Sequence, residues 1–89
     1  MIFMNINNLI AIVKQKLTKE ISIEKITVED KSFLHKNHPG NQEGKFHLKL
    51  IIGSDELKNL SRIESNKKIY RILAKEIQEY IHSLQILID

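Results

Sequence analysis

No cysteine occurs anywhere in the 89 residues. That removes disulfides, Cys-ligated zinc and a cysteine nucleophile from the chain's own chemistry. Any metal must be held by histidine, by carboxylates or by a partner's ligands, and a reducing compartment fits the same absence. Long apolar runs are missing too, since no stretch reaches the ~18–20 residues of a membrane span. The apolar start, Met1 to Val13, lacks a positively charged leader and a small-x-small cleavage site, and asparagines interrupt it. A cytoplasmic protein with no membrane association is expected. Glycines number three and prolines one, and they form no glycine-rich loop that could cradle a phosphate. No Ser-His-acid set stands out, and no carboxylate pair is singled out by position. Length points the same way. The chain is one domain, 1–89, and a domain this small buries only about 60% of its unfolded surface. A deep substrate cavity with separate catalytic machinery does not fit in it, so a non-enzymatic role is expected.

What is present is an ordinary globular mixture, 42% hydrophobic and 28% charged. The net charge of +3 suits nucleic acid or an acidic protein partner and decides between neither. Ile6, Leu9, Ile10, Val13 and Leu17 recur at helical spacing, which predicts a helix over about Asn5 to Lys19, capped by one of Asn5, Asn7 and Asn8. Alternation of Ile26 and Val28 with Lys25, Thr27 and Glu29 predicts a strand from about Ile23 to Asp30. A long polar loop, roughly Ser32 to Gly44, follows. Loops of that length are uncommon in a small domain and usually functional or disordered. "KFHLKLII", Lys45 to Ile52, reads as a second strand, with Phe46, Leu48, Leu50 and Ile52 on one face and His47 and Lys49 on the other. A helical turn near Asp55 to Leu60 comes next. Ser61 and Glu64 then form a capping box ahead of a long helix, Arg62 to Glu79. Its inner face is expected to hold Ile63, Tyr70, Leu73, Ala74 and Ile77, broadened by Ile69 and Ile72. Ile81 to Ile88 is the third strand. The order α-β-β-α-β predicts an α+β two-layer sandwich, with helices on one face of a three-stranded mixed sheet. The last strand should run parallel to the second if they are neighbours.

Four histidines carry the chemical interest. His82 shares the parity of Leu84, Ile86 and Ile88, so periodicity points it toward the helix-covered face. It then reads either as a half-buried strand-end residue with satisfied ring nitrogens or as a metal ligand. His35 and His38 sit three apart in the long loop. Alone they make a poor site, because zinc takes three or four ligands. His47 falls on the outer strand face and is expected to be exposed. Lys67, Arg71 and Lys75 recur at i, i+4 and i+8, with Lys68 beside them. They form a solvated helix face or a contact surface for phosphates or an acidic partner. With Tyr70 expected on the inner face, no aromatic interleaves this stripe, so stacking on single-stranded bases is not supported. Gly40 and Gly44 are one residue too far apart for the Gly-x-x-Gly loop of an RNA-binding KH module.

The order of elements and three segments resemble the BolA family. The segments are "VEDKSFLHKNHPG", "KFHLKLIIGSDELKNL" and "SNKKIYRILAKEIQEYIHSLQI". Most specific is "IYRILAKEIQEYIHSL", which is similar to the family's Tyr-containing helix, Leu-Ala-x-Glu core and His-x-Leu opening of the last strand. The resemblance implies a class II KH-like fold. It also implies partnership with a monothiol glutaredoxin in iron–sulfur assembly, trafficking or redox sensing. A [2Fe–2S] cluster would be shared with the glutaredoxin cysteine and glutathione, and none would be bound by the isolated chain, a monomer or weak homodimer. The family's C-terminal histidine ligand falls on His82. The loop ligand falls on His35, with His38 as local competitor. DNA-binding transcriptional regulation in stress or morphology responses, through the basic helix-turn-helix-like region, is the other role the family suggests. Lys67, Lys68, Arg71 and Lys75 would then be the partner- or nucleic-acid-binding residues. The sequence departs from the family where Phe-x-Gly and Arg-His-Arg are common. It has Leu57, Lys58 and Asn59, then Ser65, Asn66 and Lys67, which weakens transfer of arginine-dependent DNA contact.

Overall fold

In a computed structural model of the chain, the described residues are 4–32 and 45–89. Helix α1 spans Ile6–Glu20. Asn5 caps it, its side-chain oxygen accepting the Asn8 N–H at 2.8 Å. Leu9, Val13 and Leu17, spaced by four, are fully buried, so one stripe of the helix enters the core. Strand β1 (Lys25–Asp30) follows, then β2 (Phe46–Gly53), a short α2 (Asp55–Lys58), α3 (Arg62–Ile72), α4 (Ala74–Glu79) and β3 (Ile81–Ile88). The sheet order is β1-β2-β3. β1 pairs antiparallel with β2, and β3 runs parallel to β2 as the crossover through the helices requires.

The core lies between this sheet and the helices. Leu48, Leu50 and Ile52 of the central strand meet Leu9, Val13 and Leu17 of α1 and Leu57, Ile69 and Leu73 of the later helices. Each fully buried Leu or Ile contributes about 1.5–3 kcal/mol through removal from water. Ser54 joins two elements. Its hydroxyl donates to the Ser22 carbonyl at 2.7 Å and accepts the Leu57 N–H that starts α2. Ser61 accepts the Glu64 N–H at 3.1 Å and donates to its carboxylate at 3.0 Å, so the capping residues meet as the sequence indicates.

Two features of the later helices differ from the expectation. The single helix Arg62–Glu79 is interrupted at Leu73, whose φ of −98° and ψ of 17° leave the helical basin. Bonds of the i→i−4 type still flank the break, Leu73 to Ile69 and Ile77 to Leu73, so the chain bends rather than ends there. No Pro or Gly marks the position. The buried face is also rotated. Ser65, Ile69, Leu73 and Glu76 point inward, while Ile63 and Tyr70 are exposed and Ala74 faces water. Two polar residues occupy that face because each has a partner. The Ser65 hydroxyl donates to the Ser61 carbonyl at 2.7 Å, and Glu76 meets the Lys16 ammonium at 2.7 Å.

Candidate functional site

His82 stands in β3 next to an irregularity of pairing. Phe46 pairs with Ile81, yet His47 pairs with Ser83 and Leu48 with Leu84. β3 therefore carries one residue more than β2 over this stretch, a β-bulge. It breaks the alternation that pointed His82 inward. Ile81 is buried instead, at 3% exposure, and His82 is exposed. The expected half-buried orientation of His82 against the helices is thus corrected.

His47 is corrected in the opposite sense. Expected to be exposed, it is only 4% exposed. It lies between Phe46 and Leu48, which face the helices, and so occupies the other side of the sheet. Its Nδ1 shares a hydrogen bond with Ser83 Oγ at 2.6 Å. Its ring lies edge-on to that of His82, with centroids 4.9 Å apart and planes at 60°. The His47 N–H donates to Ser32 Oγ at 3.0 Å, and its carbonyl accepts the Lys31 N–H at 2.7 Å. Lys31, Lys49 and Gln85 line an open cleft beside His47 and Ser83. Alternation in "KFHLKL" gave the face of His47 correctly and its burial wrongly, because burial here comes from chain segments beyond β2.

His35 and His38 lie outside the described residues. The residues on either side of that segment are described, and they meet at one place. Lys31 and Ser32 bond to the backbone of His47, and the Phe46 N–H donates to the Tyr80 carbonyl, two residues before His82. Among the described residues no three His, Asp or Glu side chains converge into a metal-binding set. Among the described residues, the accessible imidazole of this region is that of His82.

The basic stripe is divided by the structure. Lys67, Arg71 and Lys75 are exposed. Lys68 instead donates to Glu56 at 2.7 Å, and Glu56 also accepts the Ser22 N–H at 3.0 Å. The Lys68 bond first, and the Ser22 N–H after it, hold the Glu56 carboxyl below the usual carboxylate range. Arg71 lines an open groove with Lys16, Lys19, Glu20, Lys68 and Ile72. Sequence reasoning missed the α1 lysines as part of this surface, since they join it only when α1 packs beside α3. Burial, then the neighbouring Glu79, pushes the Tyr80 phenol up. No helix among the described residues is long and apolar enough to cross a membrane.

Comparison with known proteins bears on this geometry. The family model described as BolA-like protein matches residues 17–88. The DNA-binding transcriptional regulator BolA of Haemophilus influenzae is 31% identical over 75 residues, which cover 84% of this chain and 70% of that protein. SufE-like protein 1 of Arabidopsis thaliana is 30% identical over 79 residues, covering 83% of this chain but 21% of that longer protein. Among solved structures, the BolA domain of SufE1 from Arabidopsis thaliana superposes with a TM-score of 0.74 at 30% identity, covering 89% of this chain and 87% of that one. BolA1 from the same plant gives a TM-score of 0.76 at 22% identity, covering 91% and 89% respectively, a likeness of fold. The bacterial relative is named as a regulator and the plant ones as BolA or SufE-like proteins, not as enzymes. With most of its length matched by the family model, and with the same helices over a three-stranded mixed sheet, the chain belongs to the BolA-like protein family.

Proposed function

We propose that this chain is a non-enzymatic, cytoplasmic partner of a monothiol glutaredoxin, acting in iron–sulfur assembly, trafficking or redox sensing. His82 and His35 would ligate one iron of a [2Fe–2S] cluster shared with the glutaredoxin and glutathione, His38 being the competitor of His35. One observation carries the reading: a β-bulge exposes the His82 imidazole at the sheet end where the described flanks of the His35–His38 segment meet. Family membership supports it. The donor set suits it as well, because the chain has no thiolate and offers imidazoles.

The cluster, when bound, supplies the electron transfer, at a potential that imidazole ligation raises relative to an all-thiolate set. The chain's own residues place and hold. His82 would offer a ring nitrogen to the shared iron. Exposed Lys67, Arg71 and Lys75 offer a positive face to an acidic partner. Lys68 contributes less, its ammonium being engaged by Glu56. Reconstitution with a monothiol glutaredoxin, glutathione and iron tests the assignment. His82→Ala is expected to change the visible absorption and circular dichroism of the mixed cluster, and unchanged spectra overturn it.

DNA-binding transcriptional regulation is the second reading. The exposed Lys67 and Arg71, with Lys19 and Arg71 lining one groove, favour it, as does the name of the Haemophilus relative. It requires promoter affinity well above that for random DNA, and a salt slope that flattens when Lys67 and Arg71 are neutralised. Equal affinity for both DNAs counts against it.

A further inference from the structure

The bulge has an anchor. From Phe46 to Leu48 the central strand advances two residues, while opposite it β3 advances three, from Ile81 to Leu84. The surplus lets Ile81 and Leu84 both serve the core while His82 and Ser83 between them are exposed. A one-residue slip that removed it would turn one of those apolar residues outward, so the core demands the bulge but does not orient His82. Orientation needs something on the outer side of the sheet. His47 is the residue placed to provide it. Lys31 and Ser32 fix its backbone from one side. Its Nδ1 grips Ser83 Oγ at 2.6 Å on the other, and its buried ring abuts that of His82.

We infer that His47 and Ser83 form a positioning device for His82, the hydroxyl pinning the bulge while the buried His47 ring acts as a fixed wall that sets the exposed imidazole's orientation. Neither residue needs to touch a metal. Their effect on cluster binding rests on the proposed ligand role of His82. The orienting itself is a property of the free chain, so the two ideas can fail separately. A bulge beside a functional side chain is a known way to re-aim it. Outer partners hydrogen-bonded to a ligating histidine typically matter about 10–100-fold in metal affinity, and a partner that acts by ring contact, as His47 does, is expected at the lower end.

The test uses the full chain and the variants Ser83→Ala, Ser83→Thr and His47→Gln. In the free protein, at one fixed pH, the ring proton resonances of His82 report its packing against His47, and the amides of Leu48 to Ile52 report the strand. Ser83→Ala should move the His82 ring signals toward those of an unstructured chain with the strand amides unchanged, and Ser83→Thr should restore them. His47→Gln should remove the ring-current shift of His82. In the reconstituted mixed cluster, Ser83→Ala should shorten the cluster's lifetime about tenfold and alter its visible circular dichroism, and Ser83→Thr should reverse both. His82 signals unmoved in both Ser83→Ala and His47→Gln overturn the inference. If the free chain responds as expected while wild-type protein forms no mixed cluster, the positioning device stands and the ligand reading falls.

Discussion

Replacing Lys16 with methionine would leave the Glu76 carboxylate without its cation in a place water hardly reaches. The Glu76 side chain is 4% exposed, and its Oε2 lies 2.7 Å from Lys16 Nζ. Its Oε1 has no hydrogen-bond partner among the described residues. The pair clamps α1 to α4 across the helical layer. Losing one partner of a fully buried ion pair costs about 3–5 kcal/mol, because the remaining charge stays desolvated. Lys16 is itself 39% exposed, so water reaches one side of the pair. A cost of about 2 kcal/mol, within the range for a hydrogen bond to a charged group, is therefore expected. A domain of this size is stable by roughly 4–13 kcal/mol. Lys16→Met should then lower the melting temperature by about 8–16 °C and the urea midpoint by about 1 M.

The double variant Lys16→Met/Glu76→Leu separates charge from packing. If the cost is that of an abandoned carboxylate, removing the carboxylate as well should bring stability back to within about 1 kcal/mol of wild type. Urea unfolding followed by far-ultraviolet circular dichroism measures all four corners of the cycle. A loss below about 0.5 kcal/mol in Lys16→Met refutes the reasoning, since surface changes away from special features cost no more than that. So does a double variant no more stable than the single one.

Leu50, fully buried on the central strand, should lose about 2–5 kcal/mol on replacement by alanine, read from the same unfolding curves. Ser61→Ala removes the hydroxyl that caps α3 and should cost about 1 kcal/mol. The Glu56 carboxyl, held low by Lys68, adds stability above the ordinary carboxylate value of 4.5, and that contribution drains away as the pH falls through the depressed folded value. The stability gap between wild type and Lys68→Met should therefore be largest near neutrality and close in acid, and a gap independent of pH contradicts this.

Local rules made much of the fold legible. Period-four apolar spacing located α1, the Ser61–Glu64 pair marked the start of α3, and alternation in "KFHLKLII" gave β2 its inner face. Connection logic gave the parallel pairing of β2 and β3. The inner face of α3 and α4 was not legible, because Ser65 and Glu76 are polar by composition and buried by partnership. Their partners are a carbonyl one turn back and a lysine about 60 positions away, and hydropathy sees neither. The division of the basic stripe was hidden for the same reason, since the Glu56 that engages Lys68 lies on another element.

His82 was legible as a residue of interest and illegible in its direction. Strict alternation from Leu84, Ile86 and Ile88 turns His82 inward and Ile81 outward, yet the structure buries Ile81 and exposes His82. The contradiction was already present in the spacing. Ile81 and Leu84 are both large and apolar and stand three apart, an odd separation that no regular strand can place on one face. Burying both requires one surplus residue between them, and the two residues available are a histidine and a serine. The surplus falls where an exposed imidazole costs little and where a hydroxyl can hold the kink through His47. Apolar residues at odd spacing around a polar pair are therefore a sequence-level sign of a bulge. In this chain that sign points to the side of the sheet to which the His82 ring is turned, against His47.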